Sequence, residues 1–270
     1  MTIRIWHQSF TVLSDLGAYN DALVQHFQRV CRPDTQIVMH GMRAGTYRSN
    51  YPGDDIRHVG MQFLHSVQFV RAAVDAEKDG FDAFAISSLP DPALREIRAL
   101  VSIPVVGYGE SAMLTSCLLG RRFSVLVFIP ELVEQIEDNA RRYGLGARLA
   151  GVADVGFRFN DVLSAFGQPE PLIERFRQAA REQIRTGADV IIPGEAPLCV
   201  LLARNSISSV DGVPVLDSLS CWIKHAEMLV DLKRQSGINA CRRGYFHEPP
   251  AADRVTEVLR FYEAWPQSDR

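Results

Sequence analysis

The chain has 270 residues, 47% of them hydrophobic and 23% charged, with a formal net charge of −3. That is the balance of an ordinary globular protein with a substantial core, and it carries no basic footprint for nucleic acid or an anionic membrane. No apolar run approaches the roughly 18 residues that span a bilayer, and the opening MTIRIWHQSF turns polar too soon for a signal peptide, so the expected location is the cytoplasm.

In chain order, IRIWHQ (3–8) predicts a first strand and residues 17–30 a helix, with Asp15 as its cap. TQIVMHG (35–41) predicts a second strand. A loop from 41 to 58, rich in Gly, Arg, Ser, Tyr and Pro, has no periodicity, and Tyr47 and Tyr51 are its candidate lid residues. Met61, Leu64, Val67, Val70, Ala73 and Val74 recur at helical spacing up to a stop at Gly80. Strands are expected at 81–87 and 103–109, flanking a helix at 91–101 with Asp91 at the N-cap and Pro92 at the first helical position.

The second half follows the same plan. Strands are expected at 123–129, 147–155, 188–194 and 213–219. Helices are expected at 130–144, 169–187 and from 219 to Lys233, with a turn or short helix at 196–204 and a weak helix at 251–264. Short β-branched runs alternating with amphipathic stretches predict an α/β fold of parallel sheets flanked by helices.

The two halves repeat in detail. Gly80 and Asp82 lead into a strand, and Ser88 follows Asp82 by six residues; Gly187 and Asp189 lead into another, and Glu195 follows Asp189 by six. Each unit then runs into a Pro-Val strand, IPVVGYGES or VPVLDSLS. Two similar lobes are therefore expected, 1–111 plus 214–270 and 112–213, with a cleft between them. Ligands of open parallel sheets sit beyond the carboxyl ends of the strands, where Ser88 and Glu195 fall, one from each lobe.

Other readings are weaker. The five cysteines (31, 117, 199, 221 and 241) show no CxxC spacing, and the seven histidines form no HExxH pair, so nothing calls for a metal. Cys117 and Cys199 read as small core residues. GYG (107–109) is no dinucleotide fingerprint.

The segments GFDAFAISSLPDPALREIRALVSIPVVGYGESA and GADVIIPGEAPL resemble the aspartate/glutamate/hydantoin racemase superfamily over roughly residues 1–235. The resemblance implies a two-lobed, pseudo-twofold symmetric α/β fold, no organic cofactor, no obligate metal, a small carboxylate or cyclic amide as substrate, and a homo-oligomer, with the tail 236–270 as a candidate interface arm. In that family two thiols flank the substrate carbon, one removing a proton and the other returning one on the opposite face. Here Ser88 and Glu195 occupy the matching positions, so a symmetric two-thiol racemase is not expected.

Glu195 is the candidate acid/base, since a carboxyl with an ordinary pKa near ~4.3 becomes a stronger base on burial. Ser88 is its polar partner, and Ser87 stands beside it. At the other strand ends His7, Gln8, Ser9, Asp91, Glu110, Ser111, Asp217 and Ser218 are candidate substrate contacts. Phe128 and Ile129, apolar at the end of the fifth strand, point to a substrate with a hydrophobic part. The leading expectation is cofactor-independent proton transfer next to a carbonyl: isomerisation, epimerisation or decarboxylation. Two alternatives remain open here: a hydrolase in which Glu195 activates water, and a small-molecule-binding protein without catalysis.

Overall fold

The computed structural model describes residues 2–263, and in it the alternation resolves into two parallel sheets. The first half holds β1 (Ile3–Gln8), α1 (Gly17–Val30), β2 (Thr35–His40), α2 (Gly53–Ile56), α3 (Val59–Lys78), β3 (Ala83–Ile86), α4 (Leu94–Leu100) and β4 (Val105–Gly107). Its strands lie in the order β2-β1-β3-β4. Helix α5 (Tyr108–Leu119) follows directly and packs on both β4 and the second sheet. The second half holds β5 (Phe123–Val127), α6 (Leu132–Arg142), β6 (Leu149–Asp154), α7 (Phe159–Ser164), α8 (Glu170–Arg185), β7 (Val190–Pro193) and α9 (Ala196–Arg204). Its strand order is β6-β5-β7, with Val215 adding one parallel bridge beside Ile191. Helix α10 (Ser218–Ser236) returns to pack on β1, β3 and β4, and α11 (Ala252–Glu263) ends the described chain.

The two sheets have equivalent orders, and the same local device starts each. Gly80 (φ 72°) and Gly187 (φ 97°) both take the left-handed conformation that releases a helix. Asp82 then accepts from the Arg4 amide at 2.8 Å while its own amide donates to the Arg4 carbonyl. Asp189 does the same with the Arg122 amide (3.0 Å) and the Arg122 carbonyl. Each aspartate thus pins the register of the central pair, β1 with β3 and β5 with β7. Strands β3, β5 and β7 are buried at every position, which is why they read as short continuous apolar runs and not as alternating ones.

Several local expectations change. Asp15 lies in a 3-10 turn and makes no cap for α1. Helix α4 begins at Leu94, not at Asp91, and its N-cap is Ala93 at φ 53°. The predicted strand 103–109 is cut short because Tyr108 already starts α5. The segment 213–219 forms only a two-residue antiparallel pairing and the Val215 bridge before Asp217 caps α10. In α3 the inward face is Gln62, Ser66, Phe69, Ala73 and Ala76, so of the apolar stripe Met61, Leu64 and Val67 lie exposed. Helix α11 forms as expected, while position 264 lies outside the described residues.

Candidate active site

A cleft with about 530 Å³ of empty volume, partly open to solvent, lies beyond the carboxyl ends of β1, β3, β5 and β7. The first half contributes Ser9, Phe10, Thr11 and Tyr19, together with Ser87, Ser88, Leu89 and Pro90. The second contributes Phe128, Ile129, Leu132 and Phe159, and then Glu195, Ala196 and Pro197. Tyr51, Pro52, Gly53 and Ile56 reach in from the 41–58 loop. Ser88 and Glu195 therefore line one cleft.

Glu195 ends the turn after β7, immediately before α9. Its side chain does not cap that helix. It crosses to the end of β5, where the Phe128 amide donates to both carboxyl oxygens at 3.1 Å and the Ile129 amide donates to Oε1 at 3.2 Å. Gly194 makes that crossing possible: a Cβ there would stand 2.8 Å from the Leu126 carbonyl. Burial disfavours the charged form, and the two amides only partly offset it, so the Glu195 carboxyl is pushed up to about 8. None of the residues lining the cleft is a lysine, arginine or histidine, so no cation supports the carboxylate from within it. A shift of that direction favours the neutral form of the carboxyl near neutral pH.

On the facing strand ends the polar groups are hydroxyls. Ser9 Oγ and Thr11 Oγ1 share a hydrogen bond of 2.7 Å. Ser87 Oγ is buried without a protein partner. Among the described residues the Ser88 hydroxyl, which lines the same cleft, has no hydrogen-bond partner either.

Other expected contacts lie elsewhere. His7 points to the opposite face of the first sheet, against Phe27 and Trp222. Its Nδ1 meets the His40 carbonyl, and burial lowers its pKa to about 4. Gln8 points to the face that α3 covers and bonds to Trp6 and the Ser9 carbonyl. Asp91 lies behind the Ser88 turn, where it accepts from the amides of Gly109 and Glu110, at the start of α5, and from the Tyr143 hydroxyl. It caps α5 and not the helix that follows it. Burial pushes its carboxyl up to about 7.

Glu110 forms a half-buried pair with Arg98 at 2.5 Å and lines no part of the cleft, and Ser111 is buried within α5. Asp217 caps α10 and pairs with His26 at 3.2 Å; burial alone would raise its carboxyl, but hydrogen bonds from His26 and Ser220 hold it below its ordinary value. Ser218 is fully buried and lines no part of the cleft. Tyr47 packs on His65 away from the cleft, so of the two lid candidates only Tyr51 reaches it. Cys199 is buried beside Asp217, and burial pushes its thiol up to about 12. Among the described residues no three His, Cys, Asp or Glu side chains gather into a metal site.

Sequence reasoning missed Phe10, Tyr19 and Phe159. Phe10, two residues past the end of β1, was findable by the rule that located Ser88 two residues past β3, but Tyr19 and Phe159, within α1 and α7, carry no such signal.

Compared with protein families, residues 18–226 match Asp/Glu/Hydantoin racemase. A hydantoin racemase from Pseudomonas sp. (strain NS671) is 29% identical over 239 residues, covering 87% of this chain and 88% of the relative. Among solved structures, allantoin racemase from Klebsiella pneumoniae superposes with a TM-score of 0.75 at 22% identity, over 93% of this chain and 96% of that one. Allantoin racemase from Pseudomonas fluorescens gives 0.75 at 24%, over 92% and 98%.

Proposed function

The chain belongs to the Asp/Glu/hydantoin racemase family, and from that premise we propose that this racemase-type enzyme moves a proton at the carbon next to a carbonyl of a neutral cyclic amide, of the hydantoin type, with Glu195 as its acid/base. The observation that carries the reading is the buried Glu195 carboxyl, held by two backbone amides in a cleft lined by no cation. A dicarboxylate substrate would bring uncompensated charge into that apolar space; a neutral ring with amide donors and acceptors suits the hydroxyls of Ser9, Thr11, Ser87 and Ser88.

In the forward step the ionised Glu195 takes the proton, and the developing enolate oxygen is met by hydroxyl donors from the first half of the chain. Serine is too weak a base to act symmetrically with Glu195 from the opposite wall. Two consequences follow. Protonated Glu195 returns a solvent-derived proton to the face it left more often than the opposite face receives one. Exchange with solvent therefore runs ahead of inversion.

The test uses one enantiomer of a 5-substituted hydantoin in D2O, followed by proton NMR and optical rotation. Deuterium enters the ring carbon faster than rotation is lost, and Glu195→Gln reduces both by about 10²–10⁴-fold. Ring opening without exchange, or a fully active Glu195→Gln, overturns the reading.

A further inference from the structure

A row of aromatic rings begins at the residue whose amide holds the acid. Phe128 lies 6.4 Å from Phe159 at 32°, and Phe159 stacks on Tyr51 at 4.8 Å and 20°. Tyr51 comes from the loop of the first half and Phe159 from α7 of the second, so the stack spans the cleft. The Tyr51 ring is also held from beneath. It lies directly on Gly53, where any Cβ would collide with the ring atoms. A ring pressed between a glycine backbone and a phenylalanine face has little freedom to swing. Burial and the nearby Glu195 push its phenol up to about 12, so it stays neutral and presents a surface, not a charge.

We propose that Tyr51, clamped between Gly53 and Phe159, is the specificity-determining residue of the site: it closes the outer end of the aromatic row and limits the size of the apolar substituent on the reacting carbon. This rests on the assignment of Glu195 as the group that meets that carbon. A substituent projecting from a carbon at Glu195 runs along Phe128 and Phe159 and stops at the Tyr51 ring. Gly53 is part of the device, because any larger residue there would displace the ring.

The test compares 5-methylhydantoin with 5-(indol-3-ylmethyl)hydantoin, scoring binding by calorimetry and turnover by deuterium exchange. Wild type favours the methyl compound. Tyr51→Ala raises the ratio of the large to the small ligand by about tenfold or more, in binding and in kcat/KM. Tyr51→Phe keeps the wild-type ratio, because the ring and not the hydroxyl forms the wall. Phe159→Leu, which removes the backing, raises the ratio as well. An unchanged ratio in Tyr51→Ala, or weaker binding of the large ligand there, overturns the proposal. Binding with the expected ratios but no exchange defeats the acid/base role of Glu195 and leaves the wall standing; no binding of either compound by wild type defeats both.

Discussion

At Glu195 burial and two amide donors pull the carboxyl in opposite directions, and burial wins, to about 8. The base form is therefore the minor one at neutral pH. With Glu195 as the base, kcat/KM climbs about tenfold per pH unit below that value and levels off above it. Glu195→Gln loses that limb, and a rate profile unchanged in the variant would remove Glu195 from the chemistry. The same reasoning separates Glu195 from Cys199, whose thiol is buried and pushed up to about 12. Cys199→Ala retains activity within a few-fold, and iodoacetamide inactivates slowly; a dead Cys199→Ala would move the chemistry to the other side of α9.

Among the elements, α5 shows how a turn can serve a helix it does not precede. Asp91 sits at φ 51° and Ala93 at φ 53°, a tight turn that aims the Asp91 carboxyl at the first amides of α5. The GYG motif gives it room: a Cβ at Gly107 would stand 2.6 Å from Asp91 Oδ1, and one at Gly109 would strike the Leu89 carbonyl. Asn139 of α6 and Tyr143, which follows its last residue, hold the same turn, through the Pro90 carbonyl and Asp91 itself. Asp91→Asn leaves donors without an acceptor and lowers stability by about 1–3 kcal/mol in denaturant unfolding. Glu110→Gln, which weakens a half-buried pair held to Arg98 by two hydrogen bonds, lowers stability as well. The sequence showed a helix-capping aspartate correctly but assigned it to the wrong helix, since the next helix in the chain is the default partner when only local spacing is visible.

For the molecule as a whole, pH acts in part through three fully buried groups, Glu195, Asp91 and His7. Glu195 and Asp91 have folded pKa values of about 8 and about 7, above their ordinary values of 4.5 and 3.8. Their contribution is full below the ordinary values and is lost as pH rises to the folded ones. His7 works in the other direction: lowered from 6.5 to about 4, it favours the fold above 6.5 and loses that contribution as pH falls towards 4. Between about pH 4 and 6.5 the effects oppose, and above that the carboxyls dominate, so stability declines towards pH 8. Thermal unfolding isolates Glu195: the Tm of Glu195→Gln minus that of wild type grows from pH 5 to pH 9. A difference independent of pH would mean that Glu195 is not buried as a neutral acid.

The alternation of strands and helices, the internal repeat and the placement of Ser88 and Glu195 at paired strand ends were all legible in the sequence. They depend on local periodicity and on spacing within a repeat, which a linear chain displays directly. The face to which a strand-end residue turns was not. Moving one position along a strand exchanges cleft for core, and so His7 and Gln8 project to opposite faces of the first sheet while Ser9, the next residue, lines the cleft. Tertiary structure alone decided the state of Glu195, because the amides that hold it lie 67 and 66 residues away, just past the end of another strand. It also decided the reach of Tyr51, whose loop has no period and takes its position from the Phe159 ring across the cleft. Burial and long-range partners set both, and neither is a property of neighbours in sequence.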